Sequence, residues 1–173
     1  MMTTLFTAAE LHKATALLAS PPLVRLITEI DDNGAIPPRR LASIIPDLST
    51  HHLRLAAETA RAHGLVRSVP GVGLELTETG SALADVYDAT ARWARRHAYP
   101  DPVCDFGSRV RYTFDLLASA LGTGQADGFP SPATEPVVGS EPDTDLDRLR
   151  TLLLQWLTTN PQVTALPEPE PIA

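Results

Sequence analysis

Two histidines and an arginine crowd the stretch Ser49-Thr50-His51-His52-Leu53-Arg54, and a third histidine, His63, follows eleven residues after His52. Imidazoles at this density first suggest a metal. On a helix, however, eleven residues span about 16 Å, and adjacent side chains diverge by about 100°. The three histidines therefore make no ligand set, and neither a metal nor another cofactor is expected. Hydrogen bonding to a polyanion is the better match. Positions 51, 54, 58 and 61 share one face of a helix, while Leu53, Ala57 and Ala60 share the opposite, apolar face. Arg54 can reach guanine O6 and N7 with two parallel bonds, and Ser49, Thr50 and His51 can bond base edges or phosphates. Arg39 and Arg40 lie just upstream and suit phosphate contacts, as do Arg61 and Arg67. The plainer reading of the same residues is a solvated helix face, and Glu58 would sit poorly beside phosphates unless Arg54 or Arg61 holds it.

Other chemistry finds less support. Gly71-Val72-Gly73-Leu74-Glu75-Leu76 leads into a β-rich run rather than a helix, so it is turn material and not a dinucleotide fingerprint. No local pattern suggests a Ser-His-Asp or Cys-His set, and the chain is not read as an enzyme. Cys104 is the single cysteine, which excludes an intrachain disulfide. It reads as a small apolar filler in preference to a redox sensor. Trp93, Tyr99, Phe106, Tyr112 and Phe114 could line the pocket of a small-molecule effector, although packing between terminal helices is the simpler use.

The elements that position these groups can be read from caps and periodicity. Thr7-Ala8-Ala9-Glu10 is a capping box that opens a first helix. Ser20 followed by Pro21 opens a second, which Asn33-Gly34 ends. Residues 37–45 give a short third helix that stops before Pro46. Ser49 caps the helix of interest, about 49–63, which Gly64 closes. Residues 65–69 and 74–77 are β-rich and flank a Pro-Gly-Val-Gly turn, as a hairpin requires. Thr77 caps a long helix to about 97, a further helix covers about 104–121, and Leu146, Leu149, Leu153, Trp156 and Leu157 mark an amphipathic one near the end.

Charge follows this organisation. Net charge is −7, which opposes indiscriminate binding to nucleic acid or anionic membrane. Between Arg39 and Arg67, however, five arginines face only Asp47 and Glu58, a local charge of +3. Much of the acidity lies beyond Thr123. The N-terminus has neither the basic start nor the apolar stretch of a signal peptide, and no apolar run approaches membrane-spanning length. A cytoplasmic protein is expected, with no membrane partner.

The run Leu41–Ser68, with Ile45-Pro46-Asp47-Leu48-Ser49 and His63-Gly64-Leu65-Val66-Arg67, followed by Leu76-Thr77-Glu78-Thr79-Gly80 and Trp93, resembles the HxlR group of bacterial winged-helix regulators. More loosely it is similar to MarR and ArsR proteins. The resemblance covers about residues 14–97. It implies a homodimeric transcription factor on double-stranded DNA, with Ser49, Thr50, His51 and Arg54 reading the major groove. Three departures stand out. The second helix carries Pro-Pro-Leu-Val-Arg-Leu-Ile where a tryptophan is expected, the hairpin tip has no arginine, and everything beyond about residue 98 lies outside the pattern.

The expected fold is mainly α with a small two-stranded β-wing, a winged helix-turn-helix with additional C-terminal helices. Residues 1–98 form the winged domain, 99–122 a dimerisation or packing helix, 123–143 a flexible acidic Pro/Gly-rich linker, 144–159 an amphipathic helix and 160–173 a disordered tail. Trp93, Phe106, Tyr112 and Phe114 are expected at a homodimer interface, since they offer more apolar area than one small domain easily buries. The competing function is a winged-helix interaction or dimerisation module without base readout.

Overall fold

The side chain of Thr7 accepts from the Glu10 amide at 3.2 Å while Glu10 accepts from the Thr7 amide at 2.6 Å. This reciprocal cap starts helix α1, Ala8–Leu18. The computed structural model describes residues 6–123 and 141–164. Helix α2, Pro21–Asn33, begins at Ser20 and Pro21, but the Ser20 side chain makes no capping bond; proline's fixed φ starts the helix instead. The short third helix is a 3-10 turn, Pro38–Arg40, running into one α turn, α3, Leu41–Ile44. Helix α4 is Thr50–Ala62, with Ser49 accepting from the His52 amide.

Strands β1, Val66–Val69, and β2, Gly73–Leu76, pair antiparallel with Arg67 opposite Glu75. The hairpin gains one partner that the sequence did not announce. Ile36 exchanges both backbone hydrogen bonds with Leu74, at 2.9 and 2.8 Å. Gly73 permits this approach. It has φ +125°, and a Cβ there would lie 2.5 Å from the Ile36 carbonyl oxygen.

Helix α5, Glu78–Arg96, starts at Thr77, whose hydroxyl accepts from the Gly80 amide at 3.1 Å and donates to the Gly64 carbonyl at 2.5 Å. One side chain thus joins the end of α4 to the start of α5. Helix α6 is Phe106–Thr123 and α7 is Glu141–Thr159. The chain is therefore mainly α, with one antiparallel hairpin after α4 and further C-terminal helices, a layout compatible with a winged helix.

The core is one cluster. Leu18, Leu26, Ile27, Ile45, Leu65, Leu74, Leu83, Tyr87, Phe114 and Leu117 are fully buried in it. The Tyr87 ring meets Phe114 edge-on, and its hydroxyl donates to the Leu18 carbonyl at 2.5 Å. Burial pushes that phenol above its ordinary range, so it remains a donor.

Two features of the C-terminal part bear on the expected packing. Phe114 is wholly buried and Trp93 nearly so, Trp93 against His97 and Tyr99. Both side chains are packed within the subunit. The structured chain also extends past residue 160. Pro161–Val163 forms a 3-10 turn with Val163 and Thr164 buried, and the Gln162 amide donates to the His63 carbonyl at 3.2 Å. The expected tail beyond this turn, and nearly all of the linker, lie outside the described residues. Among the described residues no helix is long and apolar enough to cross a membrane.

Candidate nucleic-acid interface

Helix α4 is fixed from beneath by Leu53, Ala56, Ala57 and Ala60, all buried against the core. Small residues on three of these four positions let α4 lie close to α2, which supports it along its length. The opposite face is open: Thr50, His51, Arg54, Glu58 and Arg61 are all exposed. The spacing read from the sequence thus corresponds to one continuous polar surface.

The groups on this surface differ in how committed they are. Ser49 is spent locally, because its Oγ accepts from the His52 amide at 3.2 Å and lies 2.9 Å from His52 Nδ1. His52, considered above only as a metal ligand, is therefore part of the helix cap. Arg54 Nε lies 3.8 Å from Glu58 Oε1, with the two side chains 67% and 58% exposed. A pair this open contributes little and exchanges readily for another anion. Thr50 and His51 make no hydrogen bond through their side chains among the described residues, although the His51 ring lies 5.9 Å from that of His52.

Arg61 and Arg67 both engage the hairpin. Arg61 Nε donates to Ser68 Oγ at 3.3 Å, and Arg67 Nε donates to Glu75 Oε1 across the hairpin at 2.6 Å. Arg67 is the most occupied of the expected contacts. Arg39 and Arg40 are exposed on the 3-10 turn and carry no ion pair among the described residues. The Ile36–Leu74 bridge carries this turn to the hairpin, so that Arg39 borders an open groove of about 580 Å³ with Pro37, Pro70 and Val72. Nothing in the local pattern of Ile36 signals that bridge. The hairpin tip itself is apolar, with Val72 47% exposed.

His63 lies away from His51 and His52 at the C-terminal end of α4, half-buried, and burial holds its imidazole below the ordinary range. Among the described residues no group of three or more His, Cys, Asp or Glu side chains could hold a metal ion. Cys104 is half-buried and reduced. The five aromatic residues weighed as a pocket do not converge on one. Trp93 and Tyr99 pack together, Phe114 lies under Tyr87, and Tyr112 is partly exposed beside Arg111.

Comparison with known protein families, characterised proteins and solved structures finds no match to the chain.

Proposed function

We propose that the protein is a sequence-specific DNA-binding regulator of the winged helix-turn-helix type, acting as a homodimer, with α3 and α4 as the motif and α4 reading the major groove. The observation that carries this reading is the exposed face of Thr50, His51 and Arg54 at the N-terminal end of a helix whose other face is locked into the core. In this motif that end of the second helix meets base edges. Arg39 and Arg40 stand at the flank where phosphates would pass, and phosphate contacts fix register without reading sequence. Arg54 exchanges its loose, 3.8 Å contact with Glu58 for a guanine edge, to which it can make two parallel bonds. Ser49 holds the helix end in position through its bond with the His52 amide. A dimer must use outward residues of the C-terminal helices, such as the partly exposed Tyr112 and Leu152, since Trp93 and Phe114 are committed inside.

A gel-shift assay against the DNA upstream of its own gene, run as a salt series, tests the reading. Specific binding with an affinity that falls steeply with salt is expected. A second reading, an interaction module without base readout, draws on the apolar hairpin tip and on the Arg67–Glu75 pair, which neutralises a basic group. Equal affinity for every duplex, or none, favours it.

A further inference from the structure

Leu55 is 43% exposed, and among the described residues of α4 it is the one large apolar side chain left open. A single exposed leucine is ordinary on a protein surface; its position on the helix singles this one out. At about 100° per residue, Leu55 falls about 40° around the axis from His51 and about 60° from Glu58. Leu53 and Ala57, both buried against the core, lie nearly opposite. Leu55 therefore shares the outward arc of α4 with His51, Arg54 and Glu58.

One flank of the side chain is supported. Leu17, Pro22, Leu23 and Ala56 are among the residues that line, with Leu55, a small hollow of about 210 Å³ where the α1–α2 junction meets α4. This apolar backing restricts the rotamers of Leu55, so little side-chain entropy is left to lose when its open flank meets a partner. That flank offers no hydrogen bond and no charge, unlike Thr50, His51 and Arg54 beside it. A phosphate gains nothing from it and would lose water. In the major groove one base-edge group rewards an apolar contact, the 5-methyl of thymine.

We propose that Leu55 is a specificity-determining residue that packs on the methyl group of a thymine, in a base pair next to the guanine that Arg54 contacts. The inference rests on the DNA-binding reading and adds a second base to it. Arg54 and Leu55 are successive residues, about 1.5 Å apart along the helix axis. That is less than the 3.4 Å rise of one base pair, so the two side chains reach adjoining positions.

The test deletes the methyl from the DNA. A duplex selected by the full chain from a random-sequence library is resynthesised with each thymine in turn replaced by deoxyuridine, which keeps every base-pairing group. The native chain should lose about fourfold in affinity at one thymine, the worth of one buried methyl-sized group. Leu55→Ala should bind the thymine and deoxyuridine duplexes alike, and Leu55→Met should keep the difference. A leucine that only props the hollow beside α4 would change affinity for both duplexes equally. The deoxyuridine scan of the native chain needs no variant, so it stands even where a substitution impairs folding. Full affinity at every substituted thymine, or a sensitive thymine that stays sensitive in Leu55→Ala, would overturn the proposal and leave the DNA-binding reading in place. Selection that enriches no sequence would remove that reading, and the proposal with it.

Discussion

Gly80, in the first turn of α5, lies so close to Leu65 that a Cβ on it would fall 2.0 Å from the Leu65 carbonyl oxygen. The neighbour is backbone at the entrance to the hairpin and cannot swing aside. Gly80→Ala should therefore force α5 away from β1 and cost about 3 kcal/mol. Gly71→Ala, at a turn position with φ +77° and nothing within 4 Å, should cost only the left-handed strain of about 1 kcal/mol. Urea denaturation of the two variants tests the ranking, and equal losses would refute it.

Trp156 on α7 is buried and donates through Nε1 to the Thr79 carbonyl at 3.3 Å, while Asp145 at the other end of α7 accepts from Arg96 at 2.8 Å. Trp156→Ala should lower stability by roughly 3–5 kcal/mol, and Trp93→Ala by a similar amount. Because both act inside one subunit, the loss in melting temperature should not depend on protein concentration. A loss that disappears at high concentration would place either tryptophan at a dimer interface.

Arg54 and Arg39 separate base reading from phosphate contact. Arg54→Ala should cost about 1–3 kcal/mol at the specific site and relax preference at one base pair. Arg39→Ala should weaken all sequences alike and reduce the salt slope by about one unit. Intact sequence preference in Arg54→Ala would remove α4 from base readout.

Dimerisation is open to a direct check. Sedimentation at about ten micromolar should show a dimer for the native chain and a monomer for Tyr112→Glu, whose side chain is partly exposed on α6. A native monomer would remove the dimer from the proposed function.

Stability should fall on the acid side in two steps. His63 is held below its ordinary range by burial, so its contribution is complete above about pH 6.5 and is lost as pH falls toward the folded value. Asp105 is held below the usual carboxylate range by its bonds to Ser108, so its contribution is complete above about pH 4 and is lost below that. Melting curves across pH should lose the first step in His63→Gln and the second in Asp105→Asn, where the amide still caps α6. A decline that neither substitution changes would assign the acid limb to other groups.

The elements were legible in the sequence because their signals are local. Thr7, Ser49 and Thr77 cap helices by accepting from amides three residues on, and the polar and apolar faces of α4 follow from helical spacing alone. Occupancy was not legible, because it depends on groups distant in the chain. Nothing near Phe114 indicates that Tyr87 covers it, so its aromatic area looked available for a partner. Ile36 carries no strand pattern of its own, yet its bridge to Leu74 sets the 3-10 turn bearing Arg39 beside the hairpin. The chain also runs on into a packed turn after Asn160, where prolines suggest an end, because Val163 finds apolar cover and Gln162 reaches the His63 carbonyl. Periodicity determines which face of a helix is apolar. Only tertiary packing decides what that face meets, and so which residues remain free to bind.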